Sequence, residues 1–449
     1  MITPTPDRSA DLARRVHAAV TARMAQYPHR DQLDPTDLRQ LALAWIQAEL
    51  DIESRRRMAE SQPQLDAVAE RAVIRSVENA LWGLGRIQAL LDAADVEDIH
   101  ITGCDTPILR MSDGSVRPAD GPIADSDTDL VQQLQFIAAH HGSSERPFSP
   151  AQPLLNMQLP DGSRLAAIRD VVARPVVTIR KHRLVDVTLH DLVQMGCMPP
   201  DLSRFLALLV PARRNVVVTG MPASGKTTLL RALAREIDAN ERFATLETEF
   251  ELNLHRLARR HPLLYAAECR AGSTEIDPAT GRRAGEMTLS DLLHQTLRMS
   301  VTRVVVGEVR GAEALPMLEA MCAGMPGSMC TLHAGSAAEA FERLVTAAMK
   351  AAGANWSDTF VTRLAAQGID YVIHMRHTSV AGRRLRFVSE VAEVSSLADG
   401  GGVALNRVFA PTADDPRGSF AMLPQNRRPF EEAGIDLGFL RSAPDVWSA

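Results

Sequence analysis

The stretch Gly220-Met221-Pro222-Ala223-Ser224-Gly225-Lys226-Thr227-Thr228 constrains this chain more than any other. It follows the apolar run Val216-Val217-Val218 and opens an apolar-periodic segment beginning Leu229-Leu230, so it reads as the turn of a strand–loop–helix unit. Gly220 and Gly225 let the backbone bend until successive N–H groups face inward. The helix that follows turns its free N–H groups and the positive end of its dipole toward the same point. Lys226 reaches β- and γ-phosphates, and the Thr227 hydroxyl is placed to hold Mg²⁺. Residues 220–228 are therefore the expected cradle of a nucleoside triphosphate. What its hydrolysis drives has to come from the other residues.

At 449 residues the chain is too long for one core, and two or three domains are expected. A net charge of −6 argues against a duplex-coating protein, and 4% aromatic content argues against a base-stacking platform. The five cysteines (Cys104, Cys197, Cys269, Cys322 and Cys330) form no C-x-x-C pair, which points to free thiols in a reducing compartment. The first residues carry no basic-then-apolar signal pattern, and no apolar run approaches a membrane span. The expected location is the cytoplasm, with membrane contact only through partners.

Residues 1–80 read as helices: Leu12, Val16, Val20 and Met24 share one face, and Leu38, Ala42, Ile46 and Leu50 repeat the pattern. The run Arg55-Arg56-Arg57 reads as a solvated helix face. Short strand-like runs separated by turns such as Asp161-Gly162, with one helix among them, suggest a small α+β domain over 81–183. A linker is expected over 184–198. Strand and helix then alternate over 199–380, the pattern of a RecA-like, doubly wound α/β nucleotide-binding core. Residues 271–287 read as a surface loop. Residues 381–449 read as a β-hairpin turning at Gly400-Gly401-Gly402, followed by a polar tail.

Three further strand ends carry chemistry. Val304-Val305-Val306-Gly307-Glu308 ends a buried strand in a carboxylate that can hold Mg²⁺ or polarise water. Thr245-Leu-Glu247-Thr-Glu249-Phe-Glu251 places three carboxylates at alternate positions, on one face if the strand stays extended. A carboxylate near the γ-phosphate can orient or deprotonate water. His333 ends a third strand, where it is either a satisfied structural residue or a γ-phosphate sensor. Arg164, Arg180 and Arg310 are candidates to neutralise transition-state charge.

In that order, GxxxxGKTT, the Glu-rich strand, VVVGEVRG and TLHA resemble the type II/type IV secretion ATPase superfamily, and within it the CpaF-like tight-adherence (Tad/Flp) pilus assembly branch. The resemblance spans about residues 80–410 and extends to Leu159-Pro-Asp-Gly-Ser-Arg164 and Thr178-Ile-Arg180-Lys181. It implies that Glu251 activates water, that Glu247 belongs to the nucleotide site, and that Gly307-Glu308 is the family's Gly-Glu Walker B pair. It also implies that His333 is its His-box residue and that Arg164 and Arg180 are brought toward nucleotide from the amino-terminal domain. Thr248 stands where the family has Asp, and Met-Pro-Ala-Ser stands where the branch has Gly-Thr-Gly-Ser; Pro222 also removes one N–H donor.

The expected protein is a cytoplasmic, homo-hexameric ATPase that binds ATP and Mg²⁺. It couples hydrolysis to inter-domain motion and acts on an inner-membrane platform protein of a pilus or secretion machine, with no stable nucleic-acid partner. A RecA-like nucleic-acid motor and a weakly active nucleotide-sensing scaffold are the rival readings.

Overall fold

The computed structural model describes residues 8–28, 34–141, 148–181, 186–257, 259–270, 272–273, 275–279, 281–352, 356–380, 383–397, 403–441 and 447. The chain forms two compact units, residues 1–181 and 182–449.

The first unit opens with α1 (Arg8–Gln26), α2 (Pro35–Ala59) and α3 (Ala67–Trp82). Leu12, Val16 and Val20 of α1 pack on Ala42, Ile46 and Leu50 of α2 and on Val73 and Val77 of α3, as the helical periodicity requires. Asp34 and Asp66 cap α2 and α3 by accepting backbone N–H bonds from Thr36, and from Val68 and Ala69. The basic run departs from a purely solvated face. Arg56 and Arg57 both donate to Glu53, which is buried, because two guanidinium groups offset the cost of removing its charge from water.

After α4 (Ile87–Asp92) come β1 (Val96–Thr102), β2 (Ile108–Met111), β3 (Val116–Pro118), α5 (Asp127–His141), β4 (Leu154–Gln158), β5 (Arg164–Ile168) and β6 (Val176–Arg180). They build an antiparallel sheet in the order β3-β2-β1-β6-β5-β4. Alternation puts Ile99, Ile101, Leu109, Leu165, Val177 and Ile179 in a core with Leu130, Leu134 and Ile137 of α5. Arg110, Asp98, Arg180 and Arg164 occupy the other face, successive across the strands in register.

In the second unit, α6 (Leu189–Gln194) begins at a capping box made by Thr188 and Asp191. Then follow α7 (Pro200–Leu209), β7 (Val216–Gly220), α8 (Lys226–Ala234), β8 (Phe243–Glu247), β9 (Tyr265–Glu268), α9 (Leu289–Thr296), β10 (Arg303–Val306) and α10 (Ala314–Cys322). The remaining elements are β11 (Met329–Leu332), α11 (Ala337–Ala352), α12 (Asp358–Gly368), β12 (Tyr371–Val380), β13 (Arg383–Leu397), β14 (Val403–Ala410), β15 (Ser419–Phe420) and α13 (Arg428–Glu432).

Strands β12-β7-β11-β10-β8-β9 are neighbours in a parallel sheet, and β13, β14 and β15 extend it antiparallel beyond β12. Val216 and Val218 face a core with Phe205 and Leu229, while Val217 faces a second core with Met317 and Leu344. Both faces of the sheet are thus covered, which is why its strands read as unbroken apolar runs. The fold is the doubly wound α/β core that the alternation predicts, with α7 and β9 beyond what the pattern suggested.

The two strands expected as a tail hairpin, β13 and β14, pair antiparallel with each other and also extend this sheet. β13 pairs with β12 over its length as well as with β14, because its apolar positions Val388, Val391 and Ala392 complete the two cores. The expected turn at Gly400-Gly401-Gly402, residues 182–183 at the end of the expected α+β domain, and residues 184–185 at the start of the expected linker lie outside the described residues. The described residues between 271 and 287 are loop, crossed by isolated bridges between Arg270 and Met287 and between Ile276 and Arg283.

Candidate functional site

Parallel strands β7, β11, β10 and β8 lie side by side, so their carboxy-terminal ends share one sheet edge. Gly220 ends β7, His333 follows β11, Gly307-Glu308 follows β10 and Glu247 ends β8. The sheet topology therefore collects residues more than 80 positions apart in sequence at one edge.

At the loop between β7 and α8, the φ of Gly220 is 152°, and a Cβ there would lie 2.4 Å from the Met375 carbonyl oxygen and 2.6 Å from Ser224 Oγ. Only glycine fits this approach of β12 to the loop. Ala223 holds a φ of 62°, in the left-handed region where a side chain is disfavoured. Its carbonyl accepts from Arg386 Nε at 3.0 Å, so β13 braces the loop from outside. Gly225 leads into α8, whose first residues are Lys226, Thr227 and Thr228. Met221, Pro222 and Ala223 are exposed, whereas Ser224 is buried and its Oγ has no hydrogen-bond partner. That orphaned hydroxyl, the loop's curvature and the start of a nine-residue helix suit an anion such as a phosphate chain.

Lys226 is buried, with Nζ donating to the Met221 carbonyl at 3.1 Å and lying 3.1 Å from His333 Nδ1. Burial pulls its ammonium down to about 8, against the carboxylates of Glu308 and Glu251. His333 Nε2 lies 2.8 Å from Glu308 Oε1, and Arg310 Nη2 donates to Glu308 Oε2 at 2.6 Å. Burial, then Lys226, hold the imidazole below its ordinary pKa and so neutral at pH 7. A neutral ring accepting from Lys226 at Nδ1 fits the 3.1 Å contact.

Thr227 and Glu308, both half-buried, offer the hard oxygen donors that Mg²⁺ prefers. Among the described residues no group of three or more His, Cys, Asp or Glu forms a metal cage. The donor set therefore fits a cation held mostly by phosphate and water.

The strand through Glu247 does not continue extended. β8 stops there and the chain turns, so Glu247, Glu249 and Glu251 do not share one strand face as alternation suggested. Glu247 is buried and accepts from the backbone N–H groups of Glu251 and Leu252 at 2.7 Å each. Glu251 is half-buried, and its carbonyl accepts from Arg231 Nη2 of α8 and from Asn253 Nδ2. Sequence reasoning missed Arg231, buried inside α8, and Arg386; nothing local marks either one. Arg164 and Arg180 lie in the first unit as register partners across β5 and β6, with Arg180 Nε donating to Asp98 at 2.9 Å.

Residues 87–385 match the family described as type II/IV secretion system protein. A putative conjugal transfer protein of Mycobacterium tuberculosis is 31% identical over 323 residues, 70% of this chain and 86% of that protein. The type IV secretion system protein PtlH of Bordetella pertussis is 31% identical over 268 residues, 54% of this chain and 76% of its own length. The crystal structure of the VirB11 ATPase from the Brucella suis type IV secretion system, in complex with sulphate, is 26% identical with a TM-score of 0.37. That alignment covers 72% of this chain and 96% of the other.

Proposed function

Because the chain belongs to the type II/IV secretion system protein family, we propose that it is an ATPase that powers a secretion or pilus-assembly machine. The observation that carries this reading is the meeting of Lys226, His333 and Glu308 at the mouth of the Gly220–Thr228 loop.

In this reading the loop amides and Lys226 bind the β- and γ-phosphates of ATP, and Lys226 leaves His333 to do so. Thr227 and Glu308 hold Mg²⁺, which when bound neutralises phosphate charge. Glu251 orients and deprotonates the attacking water, and His333 reports the presence of the γ-phosphate to Glu308. Arg310 balances the charge of Glu308. Arg164 and Arg180 stabilise the transition state, so that hydrolysis is coupled to motion between the two units. ATP turnover by wild type, Lys226→Ala and Glu308→Gln tests the reading.

We further propose the finer assignment that the motif resemblance supports: a CpaF-like pilus ATPase, cytoplasmic, working as a homo-hexameric ring on an inner-membrane platform protein. No helix among the described residues is long and apolar enough to cross a membrane. The mass of the assembly with nucleotide tests the ring, and a chain that stays monomeric contradicts it. The M. tuberculosis relative's name, a putative conjugal transfer protein, keeps a DNA-linked motor as the second reading. Stimulation of turnover by nucleic acid decides for that reading.

A further inference from the structure

We propose that Glu247 is a positioning residue: its buried carboxylate clamps the turn that follows β8 and thereby sets where Glu251 meets the nucleotide. This inference rests on the ATPase reading above.

Four observations carry it. Glu247 is 1% exposed, so it is closed to solvent. One carboxylate oxygen, Oε2, accepts from the N–H groups of both Glu251 and Leu252 at 2.7 Å, the geometry of an anion gathering consecutive amides. The other oxygen, Oε1, is buried and has no hydrogen-bond partner, so the Oε2 contacts are the hydrogen bonds that hold the carboxylate. Lastly, Gly307 makes room for it: a Cβ at 307 would lie 3.0 Å from Glu247 Cγ and 3.3 Å from Oε2. The glycine that stands where many phosphate-loop proteins carry Asp is thus the steric partner of the clamp.

The rest of the turn is held with equal care. Glu268 of β9 accepts from the Phe250 N–H at 3.2 Å. Arg231 of α8 and Asn253 donate to the Glu251 carbonyl. Arg231 lies five residues after Lys226 in the same helix, so the phosphate-binding helix and the Glu251 turn move as one body. A turn held at three consecutive amides and at the Glu251 carbonyl suits a side chain whose placement within a fraction of an ångström decides the rate.

The test compares Glu247→Ala, Glu247→Gln, Gly307→Ala and Glu251→Gln in the full chain. Glu247→Ala should lower kcat about 100-fold while KM for ATP stays within about threefold, because the binding loop is untouched. Glu247→Gln should recover most of that loss, since its amide oxygen still accepts both N–H bonds. Gly307→Ala should lower kcat by crowding the Glu247 side chain while both carboxylates remain in the chain. The double variant Glu247→Ala/Glu251→Gln should be no slower than Glu251→Gln alone. Independently of turnover, amide hydrogen exchange at Glu251 and Leu252 should be slow in the wild type and fast in Glu247→Ala. The clamp is overturned if those amides stay protected in Glu247→Ala, or if that variant raises KM with kcat unchanged, as a nucleotide ligand would. Wild type without turnover but with the exchange pattern intact would remove the ATPase reading and leave the clamp as a structural feature.

Discussion

Nδ1 of His333 stands 3.1 Å from Nζ of Lys226. Lys226, the lysine proposed to bind phosphate, is thus in contact with the side chain that also meets Glu308. Replacing His333 by Ala should lower kcat about 100-fold and change nucleotide affinity less than about threefold. Stopped-flow binding and steady-state turnover separate the two effects. A parallel rise in Kd would show that His333 binds nucleotide directly.

The ammonium of Lys226 is held down to about 8. Phosphate charge favours its protonated form, so its pKa rises on binding and a proton is taken up above pH 8. Affinity for ATP should therefore fall with rising pH above 8, by up to about tenfold per pH unit, and be flat between pH 6 and 7. Calorimetry in buffers of different ionisation enthalpy checks the proton uptake.

Gly220 and Ala223 should respond to substitution in opposite ways. Gly220→Ala forces a Cβ to within 2.4 Å of the Met375 carbonyl oxygen and should destabilise the unit by roughly 2 kcal/mol or more. Ala223→Gly relieves a side chain at φ 62° and, after the extra entropy of an unfolded glycine, should be neutral or stabilising by up to about 1 kcal/mol. Chemical denaturation measures both.

Burial pushes the Glu247 carboxyl from its ordinary 4.5 up to about 7, against the two N–H donors that favour its ionised form. Between those values the folded chain holds a proton that the unfolded chain has lost, so stability falls as pH rises from 4.5 to 7 and levels off above. Glu247 alone should contribute roughly 3 kcal/mol to that slope. Glu247→Gln, which cannot titrate, should show a correspondingly flatter profile in equilibrium unfolding.

Arg180 is oriented by its 2.9 Å bond to Asp98 and is the cross-strand partner of Arg164. Arg180→Ala and Arg164→Ala should each lower kcat at least tenfold, with smaller effects on ATP affinity. Equal loss of both parameters would make these arginines binding residues.

The site's framework was legible because its signals are local. An apolar run ending in Gly220, another ending in Gly307-Glu308 and a third ending in His333 each announce a strand end, and a parallel sheet brings such ends to one edge. The Glu247 turn was not legible. Thr248 to Leu252 contain no Gly or Pro to mark a break, and the alternating carboxylates imitate an extended strand, while the backbone is turned by the Glu247 side chain accepting from the amides of Glu251 and Leu252. Arg231 reads as an ordinary polar position of an amphipathic helix, and its burial depends on a carbonyl 20 residues away. β13 read as one strand of a tail hairpin, and its pairing with β12 was not legible because long-range packing fixes it.

ATP turnover in the presence of Mg²⁺ by wild type, Lys226→Ala and Glu308→Gln tests the account most directly. The wild type should hydrolyse ATP, and each variant should fall at least about 100-fold below it. A wild type whose turnover does not rise above that of Lys226→Ala would contradict the account and leave a protein that binds nucleotide without spending it.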